Sequence, residues 1–117
     1  MFSDRDVKAI LYRYHLGRGR AANARHICHE IIGHKASEQD TRNLRAAVEI
    51  LRKDGHPICA HPSHGYFYAE TQEEVNETMA FLRSRARTSL KQVMHLRRSA
   101  LPALAGQLSL LPSVRVD

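Results

Sequence analysis

Apolar residues recur at helical spacing over most of the chain, broken once by a short strand-like interval. Val7, Ile10, Leu11 and Tyr14 fall at i, i+3, i+4 and i+7, which predicts an amphipathic helix over residues 3–14. Ser3 with Asp6 three positions on makes a cap, and the acids suit the positive helix start. Gly17-Arg18-Gly19-Arg20 breaks the pattern. A second stripe, Ile27, Cys28, Ile31 and Ile32, predicts a short helix between an Asn23 cap and a Gly33 stop. After the polar link His34-Lys35-Ala36-Ser37, the stripe Leu44, Ala47, Val48 and Leu51 predicts a third helix. It runs from Glu38 or Asp40 to Asp54, where Gly55 and Pro57 end it. The opposite face of that helix holds Arg42, Arg45, Ala46, Glu49 and Lys53, a mostly basic surface that a core does not require.

The runs Pro57-Ile58-Cys59-Ala60 and Tyr66-Phe67-Tyr68-Ala69 are β-prone, and His61-Pro62-Ser63-His64-Gly65 between them predicts a hairpin with a Gly-containing turn. Thr71 and Glu74 then form a T-x-x-E box that opens a last helix. Its apolar positions Val75, Met79, Leu82, Ala86, Leu90 and Val93 step by three or four, and the first four are expected to close the core. Unbroken to Arg98, this helix spans roughly 40 Å, more than a small domain buries, so its distal half is expected to project. From Leu101 onward, Pro102, Gly106 and Pro112 predict a linker or frayed tail. The expected fold class is mainly α with a small β-hairpin. A folded domain over residues 1–82 is followed by a basic helical continuation over 83–100 and a flexible tail over 101–117.

Composition narrows the partners. With 117 residues, 43% hydrophobic and 26% charged, the chain is of globular type with room for one core. No apolar run approaches the roughly 18 residues of a membrane span, so no membrane partner is expected. The charged start from Met1 to Asp6 argues against a secretory leader. Cys28 and Cys59 make no disulfide framework, and a reducing, cytoplasmic setting is expected. Lys and Arg number 18 against 12 Asp and Glu, a net charge of +6 that points to a polyanion, nucleic acid before anionic lipid. In the last helix Glu73, Glu74 and Glu77 precede Arg83, Arg85, Arg87, Lys91, Arg97 and Arg98, a polarity that matches the helix dipole.

Three helices, a hairpin and a closing helix is the element order of a winged helix-turn-helix. The stretch from Leu44-Arg45 through Leu51-Arg52-Lys53-Asp54-Gly55-His56-Pro57-Ile58, followed by His64-Gly65-Tyr66-Phe67, carries a closer likeness. It resembles the winged-helix family found at the N-terminus of biotin-operon repressors and in phage and prophage DNA-binding proteins. In that family a recognition helix ends in an LR-x-x-G-x-P-I pattern and the wing closes with Gly-Tyr. The likeness covers roughly residues 4–70 and departs in the link before the third helix, which is longer than the family's usual turn.

The resemblance implies double-stranded DNA as partner, with the third helix in the major groove and flanking bases on phosphates. Arg42 and Arg45 are then the leading contacts, with Thr41, Asn43 and Glu49 on the same helix. Lys35, Arg18 and Arg20 are expected on the backbone, His61, Ser63 and His64 at the wing tip, and Arg83 and Arg87 add phosphate contacts. Tyr66 is expected in the core beneath the wing. The competing readings are a solvated basic face and a winged helix that binds protein alone.

No cofactor or metal is expected. Cys59-Ala60-His61 with His64, and His26-Ile27-Cys28-His29, contain zinc donors but lack paired ligand spacing, and Cys28 falls on a buried stripe. No Gly-rich phosphate loop, nucleophile motif or carboxylate cluster appears, so an enzyme is not expected. The distal apolar positions Leu90, Val93, Met94 and Leu96 have no core left to cover and suit a homodimer through the last helix. In the tail, Gln107-Leu108-Ser109-Leu110-Leu111 resembles the bacterial sliding-clamp binding motif, with Leu111 where Phe is commoner. That likeness implies Gln107 hydrogen-bonding in the clamp pocket and the leucines filling its apolar parts, and so a replication role in a phage or bacterium. A transcriptional regulator without a clamp role is the alternative.

Overall fold

Local hydrogen bonding sets where each helix begins. In the computed structural model, which describes residues 2–99, α1 (Asp4–Tyr14) starts at a reciprocal box in which Ser3 Oγ accepts from the Asp6 N–H and the Asp6 carboxylate accepts from the Ser3 N–H. The Asn23 side chain accepts from the His26 N–H at 2.8 Å to open α2 (Ala24–Ile32), and Gly33, at φ +79°, ends it in the left-handed region. Ser37 and Asp40 repeat the reciprocal box at α3 (Glu38–Lys53). The two N–H and O–H bonds from Ser37 hold the Asp40 carboxyl below its ordinary range.

The three helices close on one another through the predicted stripes. Val7 and Leu11 of α1, Ile27 and Cys28 of α2, and Leu44, Ala47, Val48 and Leu51 of α3 are all buried in one cluster. Burial pushes the Cys28 thiol up, and the Asp40 charge adds to the shift, so this cysteine behaves as a small core hydrophobe.

The hairpin follows as β1 (Ile58–His61) and β2 (Gly65–Tyr68), antiparallel, with Ile58 opposite Tyr68 and Cys59 opposite Phe67. Side chains alternate between two faces along a strand. Ile58, Tyr66 and Tyr68 pack on the helical core, as expected for Tyr66, while Cys59 and Phe67, also buried, share the other face. Arg52 ties α3 to β1 by donating from Nε to the Ile58 carbonyl at 2.9 Å.

A third extended segment, not foreseen from the Gly-Arg-Gly-Arg break, lines the free edge of β2. Leu16 bridges Tyr68 and Ala22 bridges Tyr66. The bonds run from the Tyr68 N–H to the His15 carbonyl, from the Gly17 N–H to the Tyr68 carbonyl, and reciprocally between Ala22 and Tyr66. A one-turn 3-10 helix, Arg18–Arg20, lies between the two bridges. The edge of β2 is therefore paired, not exposed.

α4 (Gln72–Ser99) opens at the expected T-x-x-E box, with reciprocal bonds of 3.2 Å between Thr71 and Glu74. The described residues divide into two units, one ending at Ala80 and one beginning at Phe81, so α4 begins in the first and continues in the second. Its contribution to burial corrects the expectation from the stripe. Met79 and Leu82 are each 40% exposed and Val75 is half-buried, whereas Thr78 is only 6% exposed. Thr78 Oγ1 lies 3.4 Å from both the N–H and the carbonyl of Ala60, accepting from one and donating to the other. The contact face of α4 is set by a hydroxyl meeting backbone polar groups, which a search for apolar spacing passes over. In the second unit the helix continues with Leu90, Met94 and Leu96 exposed, and the Arg85 guanidinium lies 5.7 Å from the Phe81 ring centre. Among the described residues, no helix is long and apolar enough to cross a membrane.

Candidate nucleic-acid interface

The concave surface of the first unit lies where α2, α3 and the hairpin tip meet. A groove of about 860 Å³ runs between Asn23, Ala24 and His26 at the start of α2, Arg45 of α3, and Pro62, Ser63, His64 and Gly65 at the tip. A smaller hollow of about 430 Å³ lies between the start of α2 and the first turns of α3, lined by Arg25, Glu38, Arg42 and Arg45. Arg45 borders both. The surface thus combines outward arginines of one helix with the N-terminus of another, where unpaired N–H groups and the helix dipole favour an anion.

Gly65 sets the position of the tip. Its φ is +93°, and a Cβ there would stand 2.2 Å from the Ala22 carbonyl oxygen. The hairpin can close against the segment before α2 only because residue 65 has no side chain. Within the tip, the Ser63 N–H donates to His61 Nδ1 at 3.1 Å, and the His61 and His64 rings stack with centres 4.4 Å apart.

The residues singled out from the sequence fall into distinct settings. Arg42, Arg45 and Glu49 are exposed on the outward face of α3. Asn43 is half-buried and its Oδ1 accepts from Gln39 Nε2 at 3.0 Å. Thr41 is buried at the floor of the α2–α3 hollow, and its hydroxyl donates to the Glu38 carbonyl at 2.8 Å. Ser63 and His64 are exposed at the tip and His61 is half-buried. Arg20 and Lys35 are exposed, the latter in a hollow with Arg25, His26 and His29. Arg83 and Arg87 are exposed in the second unit. Gln107, Leu108, Ser109, Leu110 and Leu111 lie outside the described residues. Arg25, which the sequence reading passed over, borders the α2–α3 hollow; its place directly after the capped first helical residue is the signal that marks it.

Arg18 also lines the groove at the hairpin tip but differs from the other bases. Its guanidinium pairs with Glu77, and its N–H donates to Glu74 Oε2 at 2.7 Å. The Glu74 carboxylate also accepts from the N–H groups of Glu70 and Thr71. Burial pushes the Glu74 carboxyl up, but these backbone N–H groups and the Arg18 charge outweigh it and hold the group below its ordinary value. Arg18 is thus a tie between the bridging segment and the first turns of α4.

The cysteines and histidines do not group as their sequence neighbours suggested. Cys28 and Cys59 are both buried, and burial raises the Cys59 thiol as well, while His26 and His29 are exposed on α2. A different set converges: His15, 6% exposed, places Nε2 2.5 Å from Glu30 Oε1, and His26 Nε2 lies 3.5 Å from the same oxygen. Compared with protein-family models, curated proteins and solved structures, the chain gives no match.

Proposed function

We propose that this chain is a double-stranded DNA-binding protein of winged helix-turn-helix type, with α3 as the recognition helix and the β1–β2 hairpin as the wing. The observation that carries the reading is the groove in which Arg45 of α3, the capped start of α2 and the hairpin tip face one ligand-sized space. Arg42 and Arg45 reach base edges or phosphates from α3, and the N–H groups at the start of α2 hold a phosphate. The bridging of Leu16 and Ala22 to β2, which gives the hairpin a third extended neighbour, supports the same architecture.

Salt dependence tests this. Affinity for duplex DNA should fall linearly on a log–log plot against salt, with a slope of about −0.9 per phosphate neutralised. Arg45→Ala should weaken binding by about 1–3 kcal/mol if the side chain reads a base. Absence of binding at low salt overturns the reading. The Gln107 to Leu111 string adds recruitment to a bacterial sliding clamp and, with it, a replication setting. Clamp capture that is lost in Gln107→Ala, Leu110→Ala and Leu111→Ala supports that addition. Capture unchanged by these substitutions removes it and leaves a regulator without clamp contact.

A further inference from the structure

Three metal-ligating groups meet at the junction of the segment after α1 with α2. One atom from each of His15, His26 and Glu30 lies within 4.8 Å of the others. His26 and Glu30 are four residues apart, so they stand on one face of α2 one turn from each other. His15 comes from the turn that follows α1, and the segment beyond it pairs with β2. His15 is buried, and His26 and Glu30 stand on the regular backbone of α2, so backbone placement of the three is set by secondary structure and the packing of His15.

We propose that His15, His26 and Glu30 bind a divalent transition-metal ion of the zinc class. Two imidazoles and a carboxylate are a donor set that zinc takes with one position left open, and the two nitrogens disfavour the hard cations calcium and magnesium. His15 carries the support that ligating histidines ordinarily have. Its Nδ1 donates to the Arg20 carbonyl at 2.7 Å, which fixes the proton on Nδ1 and turns the Nε2 lone pair toward the site.

The metal-free geometry shows where the ion goes. His15 Nε2 and Glu30 Oε1 lie 2.5 Å apart, so two of the donor atoms already converge. Ligand atoms about 2.0–2.2 Å from a tetrahedral ion stand roughly 3.3 Å apart. The His26–Glu30 separation of 3.5 Å meets this already, and the His15–Glu30 pair opens by under 1 Å through rotation of the partly exposed Glu30 side chain. The proposal does not rest on DNA binding.

The test uses the full chain without a histidine tag, titrated with cobalt(II) and zinc(II) chloride alone. Visible absorption reads the cobalt geometry, and calorimetry reads affinity and stoichiometry. The expected result is one equivalent bound at micromolar metal. His26→Ala removes an exposed ligand outside the core, so it should retain the wild-type circular dichroism and lose at least tenfold in affinity. Glu30→Gln should lose affinity too, and His64→Ala, which removes half of the stacked pair at the hairpin tip, should not. Failure of the wild type to bind overturns the proposal, as does equal affinity in wild type and His26→Ala, or a loss confined to His64→Ala.

Discussion

Replacing Glu74 by Gln tests how the bridging segment is held to the start of α4. The carboxylate accepts three backbone N–H bonds, from Arg18 to Oε2 at 2.7 Å and from Glu70 and Thr71 to Oε1 at 2.8 and 3.2 Å. Glutamine keeps one acceptor oxygen for Glu70 and Thr71 but turns an NH2 toward the Arg18 N–H, donor against donor. Hydrogen bonds to a charged group contribute about 1.5–3 kcal/mol when well buried. Partial exposure screens this one, which leaves about 1–2 kcal/mol. At roughly 4–8 °C per kcal/mol for a unit of this size, the melting temperature should fall by about 4–16 °C near neutral pH. The folded-state pKa of Glu74 lies below its unfolded value. Its contribution is therefore complete above the unfolded value and is lost as pH falls through the folded one. Thermal melts of both proteins, followed by circular dichroism, should converge as pH falls through the folded-state pKa of Glu74. A difference that persists unchanged into acid, or none at neutral pH, refutes the account.

Gly65→Ala should destabilise the fold by at least about 2 kcal/mol in a urea melt, because strain at positive φ adds to a clash with backbone; a loss below about 0.5 kcal/mol would show that the hairpin shifts freely. Both thiols are buried and held protonated, so a disulfide reagent at mildly alkaline pH should react at the unfolding rate and promptly once denaturant is added. Fast native reaction contradicts the burial. On the proposed function, Arg18→Ala should lower the melting temperature and leave the salt slope of DNA binding unchanged, while Arg42→Ala should reduce the slope by about one. The reverse pattern would mean that Arg18 leaves Glu77 to meet phosphate.

Signals that span a few residues were legible in the sequence. The boxes at Ser3 and Thr71, the Asn23 cap and the Gly33 stop all depend on atoms within four positions of one another, so residue type and spacing carry them, while the equivalent Ser37–Asp40 box, of the same span, reads in the sequence as part of a polar link. Val7, Leu11, Ile27, Cys28, Leu44, Ala47, Val48 and Leu51 of the α1 to α3 stripes are buried as read because they face a single core, and Ile10, Ile31 and Ile32 are half-buried at its edge, but Tyr14 at the end of the α1 stripe is 48% exposed. What was not legible depends on distant partners. The pairing of Leu16 and Ala22 with β2 joins segments some fifty residues apart through backbone atoms, which leave no trace in side-chain pattern. Thr78 is buried by meeting Ala60, and hydropathy ranks it below its exposed neighbour Met79. His15 joins His26 and Glu30 only after α1 and α2 have packed, so ligand spacing along the chain does not bring the three together.

The same distinction decides how the net charge of +6 bears on the proposed function. Arg18 is offset inside the fold by Glu74 and Glu77, so a phosphate would not feel its charge at full strength, whereas half-buried Arg52 donates to the Ile58 carbonyl, which positions its charge without neutralising it. Arg25, Arg42 and Arg45 remain exposed around the two hollows, and only Glu38 among the residues lining these hollows opposes them. Two hollows that share Arg45, with three exposed arginines against the single acid Glu38, are positive because most acids lie elsewhere, not because the chain is basic overall. Placement rather than total charge is therefore the argument for this face, and it would hold in a chain of the same fold whose net charge were zero.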